Sequence, residues 1–348
     1  MSKSIPEEGL EQYLDNYEYY ESLFDPTRSN RQARRKRRPR KQPQKAPEQW
    51  VVASELGDLA GLEGGFKTTY TPGRYEEGWL LSSLRTFYDE ALITDVLAMV
   101  KGGKEAGVYC CEAHPSTGVD LVAAKVYRPR ALRNLRNDRM YREGRDILVA
   151  PGHAVQDHEH RIMRAIDHNT TFGQQVRHTS WLMHEFSTLE TLFKAGAAVP
   201  RPLSYSDNAV LMSYIGDARA NAPTLHEVRL GKKEAMNLFA KIMHNVELML
   251  QHQLVHGDLS AYNVLYWQGD VTLIDFPQVV NYNTNRDAFP ILRRDVQRLC
   301  EYFARQGVAC DYQAIADDLW QRYARPDPRI VAAETYEMIL AQLEEEEA

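Results

Sequence analysis

Polar side chains interrupt two apolar runs in the segment LVHGDLSAYNVLYWQGDVTLIDF, residues 254–276. Val264–Trp267 and Val271–Ile274 have the composition of short strands, and the Gly269-Asp270 pair between them is a turn signal, so this part predicts a β-hairpin. A hairpin brings its two ends together. Asn263 directly precedes this hairpin and Asp275 directly follows it, so we expect the two side chains at one edge.

A third oxygen-bearing side chain, Asp258, lies five residues before Asn263. Carboxylate and amide oxygens suit a hard cation such as Mg²⁺, which keeps part of its water shell and also binds substrate phosphates. An Asp-x4-Asn loop followed by a hairpin and a second Asp is the layout in which protein kinases supply a catalytic aspartate and two metal ligands. A polar turn capped by Asp and Asn side chains is the structural alternative.

Such a layout requires a lysine, a glutamate and a phosphate-covering loop earlier in the chain. Lys125 lies within the apolar strand LVAAKVY, where an unpaired ammonium would be costly, and Glu185 lies in an amphipathic helix that could supply its partner. The loop KGGKEAGVY, residues 101–109, contains three glycines that permit close approach of phosphates. A lysine with its ammonium in solvent, a solvated glutamate and a plain glycine hairpin are the alternatives for these three features.

The order of predicted elements indicates an α+β fold with two lobes. Helical periodicity starts at Leu80, strands are predicted near Ile93–Val100 and over Leu121–Tyr127, and a helix carrying Glu185 ends at Gly196. Residues 149–180 are predicted to form a long mobile loop with a helical fragment near Glu159–Ile166. The predicted units are a disordered tail, acidic and then basic, over 1–49, an extension with a helix over 50–92, a strand-rich lobe over 93–216 and a helical lobe over 217–348.

Charge is segregated along the chain. Arg28–Lys45 contains ten Lys or Arg residues and no acidic residue, although the net charge of the whole chain is −6. This segment has the composition of a disordered arm, and its positive charge is suited to binding nucleic acid. A solubilising tail and an intramolecular partner for the acidic body are the alternatives.

The four cysteines lack CxxC spacing, which favours reduced thiols. No apolar run approaches the roughly 20 residues that span a bilayer, so we expect a soluble, cytoplasmic protein with no membrane partner.

Taken together, these motifs resemble the RIO-type atypical serine/threonine protein kinases. The matching segments occur in the family's order over about residues 93–305. They are GKEAGVY, AAKVYR, NDRMYREGR, HEFSTLETLFKAG, VPRPL, LMSYIG, HGDLSAYNVLYW and LIDFPQVV. The resemblance implies a bilobal protein-kinase-like fold, with a strand-rich N-lobe that contains one key helix and a helical C-lobe.

The resemblance also implies a binding site for ATP and Mg²⁺ between the lobes, with Mn²⁺ as an acceptable substitute. Asp258 would be the catalytic-loop aspartate, and Asn263 and Asp275 would hold the metal. Lys125 would contact the α- and β-phosphates and pair with Glu185. The other implied nucleotide-binding residues are Gly103, Lys104 and Val108 in the phosphate loop, Met212 at the gatekeeper position, and Ser213 and Ile215 in the hinge.

Members of this family are serine/threonine protein kinases, and they are also thought to act as ATPases through a phosphoaspartate. The resemblance therefore implies a protein substrate, or the chain itself, as phosphoryl acceptor, and it makes Asp275 the candidate for the covalent role. The family's association with ribosome maturation supports RNA or a ribosomal particle as partner of Arg28–Lys45.

The chain departs from the family at two loops. Lys101-Gly102-Gly103 stands where members commonly have Ser-Thr-Gly, and the metal loop reads Asp-Phe-Pro-Gln instead of Asp-Val-Ser-Gln.

Two other functions stay open: a small-molecule phosphotransferase of the aminoglycoside or choline kinase kind, which shares His-Gly-Asp-x4-Asn, and a non-catalytic pseudokinase scaffold. Six histidines between residues 150 and 184 lack the spacing of a helical metal site, and a solvated loop is the favoured interpretation.

Overall fold

The computed structural model describes residues 68–73, 76–103, 106–128, 148–150, 153–154, 164, 168 and 170–324. The predictions for the tail and the basic segment Arg28–Lys45, for most of the extension before residue 76, for the NDRMYREGR motif, for Lys104 and for most of the histidine-rich segment lie outside these residues.

The first part of the described chain forms a five-stranded antiparallel sheet of order β1-β2-β3-β7-β6. Its strands are β1 (Ile93–Gly102), β2 (Ala106–Ala113), β3 (Leu121–Tyr127), β6 (Pro202–Tyr205) and β7 (Ala209–Ser213). A two-stranded ladder, β4 (Leu148–Ala150) with β5 (His153–Ala154), lies outside this sheet. β1 contains the strand predicted near Ile93–Val100, and β3 has the predicted bounds.

Both faces of the sheet pack against a hydrophobic core, and alternate residues of β3 belong to the two cores. Val122, Ala124 and Val126 alternate into a core shared with helix α1 (Glu76–Asp89), as the two-residue period of a strand requires. Ala123 and Tyr127 belong to the core on the opposite face. Lys125 has the same parity as these two residues, so its side chain leaves the sheet on the face opposite α1.

Helix α2 (Thr171–Lys194) covers that opposite face with Leu182, Leu189 and Leu192, which are buried in the same core as Ala123. The helix includes the last ten residues of the segment 149–180, which was predicted to be a mobile loop. That prediction is therefore wrong for residues 171–180. The segment contains good helix formers such as Gln174, Gln175 and Arg177, whose polarity hid the helix from a reading based on apolar periodicity.

The second part of the described chain is helical, as predicted. Its helices are α3 (Lys232–Gln251), α4 (Ala288–Arg305) and α5 (Tyr312–Tyr323). Leu238 and Ile242 of α3 and Leu299 and Phe303 of α4 are fully or almost fully buried in one cluster, which explains the helical spacing of the apolar residues. Short antiparallel ladders connect the helices: β8 (Leu254–Val255) with β11 (Val280–Asn281), and β9 (Val264–Trp267) with β10 (Asp270–Leu273).

The predicted hairpin therefore exists as β9 and β10, with its second strand one residue earlier than expected. The four cysteines are reduced, and three of them are buried. Among the described residues, no helix is both long and apolar enough to cross a membrane.

Candidate active site

Lys125 connects three parts of the fold through its ammonium group. Its Nζ lies 2.5 Å from Glu185 Oε1 on α2 and 2.6 Å from Asp275 Oδ1, which follows the hairpin. Glu185 is 1% exposed and Lys125 is 9% exposed, whereas the Asp275 side chain keeps 41% of its surface accessible. The predicted pair of Lys125 and Glu185 is present, and Asp275 completes a cluster that faces the space between the lobes.

The charges in this cluster depend on one another. Burial works against the ammonium of Lys125, but the two carboxylates outweigh it and hold the Lys125 pKa above its ordinary value. Burial raises the pKa of Glu185, and Lys125 offsets this in part. Partial burial also works against ionisation of Asp275, but the charge and hydrogen bond of Lys125 hold the Asp275 pKa below its ordinary value. The cluster thus favours the charged forms of Lys125 and Asp275, and its pair with Lys125 limits the rise of the Glu185 pKa.

Side chains of α4 form hydrogen bonds that hold the loop carrying Asp258. Gly257 has a φ of +85°, and a Cβ there would overlap the carbonyl oxygen of Gln278, so glycine is required. The Gly257 N–H donates to Asp295 Oδ2 at 2.8 Å, and Arg294 donates to the Gly257 carbonyl. Asp295 is 1% exposed; burial raises its pKa to about 7 despite Arg294 and backbone hydrogen bonds from Gly257 and Leu259.

Asp258 has a hydrogen-bond partner at each of its carboxylate oxygens. Arg298 Nη1 of α4 donates to Oδ1 at 2.7 Å, and the amide nitrogen of Asn263 donates to Oδ2 at 3.1 Å. The Asn263 amide also donates to the backbone carbonyl of Asp258 at 2.8 Å. Asp258 keeps 39% of its side chain exposed, so the carboxylate is held in orientation while still open to an acceptor group.

His256 joins the catalytic loop to the loop of Asp275. It is 2% exposed, its Nδ1 accepts from the Asp258 N–H at 3.3 Å, and its Nε2 lies 3.2 Å from the carbonyl of Ile274. These partners require the neutral tautomer that carries its proton on Nε2. Burial lowers the pKa of His256, although Asp275 and Asp258 oppose this, so the neutral ring is the native form.

The donor set at the hairpin edge fits Mg²⁺. Both side-chain hydrogen bonds that Asn263 makes within the described ranges use its amide nitrogen, which leaves Oδ1 for a cation. Asp275 supplies an exposed carboxylate and has a φ of +71°, a left-handed conformation that Asp tolerates better than most residues. One carboxylate and one amide oxygen, completed by water and phosphate, are the ligands that Mg²⁺ takes in nucleotide sites.

Two of the predicted nucleotide-binding residues lie on the sheet face that carries Lys125, because Val108 pairs with Lys125 and Met212 pairs with Ala123. Met212 of β7 is 9% exposed, and Val108 of β2 packs against the core that contains it. In the hinge, the Ser213 N–H donates to the Arg201 carbonyl at 2.8 Å, whereas the Ile215 N–H makes no hydrogen bond within the described residues. Of the two hinge N–H groups, that of Ile215 is therefore the one available to a base.

The tip of the phosphate loop is bonded within the protein. The Gly103 N–H donates to the Ala106 carbonyl at 2.9 Å, and its carbonyl accepts from Arg128 Nε at 2.8 Å. A Cβ on Gly103 would lie 2.8 Å from the Ala106 carbonyl oxygen, so this glycine permits a tight turn. Gly103 therefore shapes the loop, and its N–H is not available to a phosphate in this conformation.

Sequence reasoning missed the residues of α4 that hold the catalytic loop, namely Arg294, Asp295 and Arg298. The signal for them was faint: the segment RRDVQR places charged residues three and four positions apart on an otherwise amphipathic helix. One detectable sign was an acidic residue, Asp295, at a position where the helical period requires an apolar side chain.

Comparison with known proteins identifies a RIO domain over residues 153–315. The chain is 32% identical over 213 residues to the RIO-type serine/threonine-protein kinase Rio1 of Haloferax volcanii, covering 61% of this chain and 64% of that protein. It is 28% identical over 228 residues to the serine/threonine-protein kinase RIO1 of Chaetomium thermophilum, covering 62% of this chain and 41% of that protein. The matched region therefore spans less than two thirds of each of these relatives.

A crystal structure of the Rio2 kinase from Chaetomium thermophilum superposes with a TM-score of 0.46 at 17% identity, covering 77% of this chain and 78% of that chain. This superposition is too loose to bear on the assignment of residues. The domain match and the curated relatives agree with the motif order and support assignment to the RIO kinase family.

Proposed function

We propose that this chain is a Mg²⁺- and ATP-dependent phosphotransferase that acts on serine or threonine hydroxyls of a protein substrate or of the chain itself. The observation that carries the proposal is the cluster in which Lys125 bridges Glu185 and Asp275. An ammonium held between two carboxylates at a cleft is the arrangement that positions nucleotide phosphates in kinases. The RIO domain match and the similarity to named RIO-type kinases support the same reaction class.

Each side chain then has a defined task. Lys125, oriented by Glu185, binds the α- and β-phosphates. Asn263 Oδ1 and the Asp275 carboxylate hold Mg²⁺, which when bound offsets the negative charge of the phosphates. Asp258 accepts a hydrogen bond from the acceptor hydroxyl and takes its proton as the new P–O bond forms and the bond to ADP breaks. Arg298 keeps the Asp258 carboxylate pointed at the acceptor.

Water is the second acceptor that we propose. In that reaction an Asp275 oxygen attacks the γ-phosphorus, ADP leaves, and water then hydrolyses the acyl phosphate to restore the carboxylate and release phosphate. The exposed surface of Asp275, 41% of its side chain, supports access by an incoming phosphoryl group. The chain would then act as an ATPase as well as a kinase, and acid-stable and hydroxylamine-labile phosphoprotein would distinguish the two acceptors.

We also propose that the basic segment Arg28–Lys45 binds RNA or a ribosomal particle in the cytoplasm. Ten cations in this segment favour binding by release of counterions from phosphates. Deletion of this segment should remove salt-sensitive RNA binding and leave ATP turnover unchanged. Unchanged RNA affinity would overturn this part of the proposal.

The direct test is ATP turnover with autophosphorylation for the wild type, Asp258→Ala and Asp275→Asn. We expect activity in the wild type that falls at least about 100-fold in each variant, since each substitution removes a group that acts in the transition state. Wild-type activity no higher than that of both variants would overturn the enzyme proposal and favour a pseudokinase scaffold. Faster turnover with an aminoglycoside or choline than with protein would favour the small-molecule alternative.

A further inference from the structure

The register of the sheet places a second lysine in line with Lys125. In the antiparallel ladders, Lys101 of β1 is opposite Val108 of β2, and Val108 is opposite Lys125 of β3. Residues that are directly opposite in adjacent strands project from the same face of a sheet. Lys101, Val108 and Lys125 therefore form one row on one face, and neighbouring strands are about 4.8 Å apart, so the two lysines start about 10 Å from each other.

This row faces the space between the lobes. Lys125 leaves the sheet on that side, where its ammonium meets Glu185 and Asp275. Val108 packs against the core that the sheet shares with α2 and the helical lobe. The register irregularity between Met99 and Lys101 shifts β1 by one residue, and this shift brings Lys101 to the cleft face.

Lys101 lacks a partner that would hold its ammonium elsewhere. It is exposed, and within the described residues its side chain makes no ion pair or hydrogen bond. An exposed cation near the end of β1, on the sheet face that carries Lys125 and with no side-chain partner among the described residues, is suited to an anionic ligand.

The order of the strands in the sheet indicates which part of a nucleotide would lie near Lys101. The hinge follows β7, which pairs with β3, and β2 and then the edge strand β1 lie beyond β3. A nucleotide whose base lies at the hinge and whose phosphates extend along this face passes Lys125 before it reaches Lys101. The last phosphate is therefore the one within reach of the four-carbon stem of Lys101.

We propose that Lys101 is a second phosphate-binding lysine, which contacts the terminal phosphate of a nucleoside triphosphate and so makes the site selective for triphosphate over diphosphate. This inference rests on the proposed function, since it assumes that the cleft binds a nucleotide. It assigns a role to the lysine that stands where family members commonly carry a serine, and it replaces a hydroxyl contact with a charged one.

The test measures affinity for the β,γ-imido analogue of ATP, for ADP and for adenosine by calorimetry, with Mg²⁺ present. Lys101→Gln should weaken binding of the triphosphate analogue about tenfold, as expected for loss of one charge-assisted contact at an exposed position. Binding of adenosine should not change, and that of ADP should change less than that of the triphosphate. Lys101→Arg should retain most of the triphosphate affinity, because it keeps the charge.

The matched control is Lys194→Gln, an exposed lysine of the same lobe at the end of α2, which makes the same change in net charge and should leave all three affinities as they are. Equal weakening of all three ligands in Lys101→Gln, or no weakening of the triphosphate, would overturn the inference. A wild-type chain that binds none of the three ligands would overturn the proposed function on which it rests.

Discussion

Replacement of Lys125 by methionine provides a quantitative test of the buried cluster. The substitution keeps the length of the side chain but leaves Glu185, which is 1% exposed, without its cation. An isolated carboxylate in that environment takes up a proton instead of remaining charged. The stability of the Lys125→Met variant should therefore fall more steeply with rising pH than that of the wild type, in which Lys125 offsets part of the rise in the Glu185 pKa.

The size of the effect follows from the ordinary Glu pKa of 4.5. Protonating a carboxyl that is ionised in the unfolded chain costs about 1.4 kcal/mol for each pH unit above that value. The penalty from Glu185 is then about 1.4 kcal/mol at pH 5.5 and about 4 kcal/mol at pH 7.5, close to the roughly 3–5 kcal/mol typical of a broken buried ion pair. The sign is fixed because a raised folded-state pKa gives stability that is present at low pH and lost as pH rises.

The assay is urea unfolding of the wild type, Lys125→Met and the double variant Lys125→Met/Glu185→Gln at pH 5.5 and at pH 7.5. The double variant removes the carboxyl, so its free energy of unfolding should be higher than that of Lys125→Met by about 2–3 kcal/mol more at pH 7.5 than at pH 5.5. A difference between these two variants that is the same at both pH values would refute the reasoning.

Three further predictions concern the catalytic loop. Gly257→Ala should lower the free energy of unfolding by more than the roughly 1–2 kcal/mol that the left-handed conformation costs an alanine, because the added Cβ also overlaps the Gln278 carbonyl. Urea unfolding measures this loss, and a loss below about 1 kcal/mol would contradict the prediction. Arg298→Gln should lower kcat about tenfold and leave KM for ATP unchanged, because Arg298 orients the Asp258 carboxylate. The free energy of unfolding should change by less than about 1 kcal/mol, since the ion pair is exposed. An unchanged kcat would contradict this role. Burial lowers the His256 pKa, so its contribution to stability is present above the ordinary value of 6.5 and lost as pH falls below it; His256→Gln should show a shallower acid decline, and an identical decline would contradict the assignment.

Local sequence pattern was sufficient for the elements that carry Lys125 and Asp275. The two-residue period of β3 and the turn at Gly269-Asp270 are properties of neighbouring residues, so strand bounds and the hairpin edge could be predicted from them. The pairing of Lys125 with Glu185, sixty residues later, was predictable because a buried cation requires a carboxylate and the amphipathic helix offered one.

The rest depended on contacts that no local pattern encodes. Arg298 reaches Asp258 across forty residues, and it does so because α4 packs beneath the loop in the helical core. Ser213 was expected to offer a backbone group to adenine, but its N–H donates to Arg201, a bond that arises from how β6 approaches β7. Such contacts are set by tertiary packing, which sequence periodicity does not specify.

The most direct measurement of the central claim is cleavage of γ-labelled ATP under single-turnover conditions, with the protein in excess over nucleotide. The wild type should release or transfer the γ-phosphate in the presence of Mg²⁺ and stop when the metal is chelated, and Asp275→Asn should be inactive at any Mg²⁺ concentration. Cleavage that proceeds equally in Asp275→Asn, or a wild type that leaves ATP intact at saturating Mg²⁺, would contradict the claim that this cluster transfers phosphoryl groups.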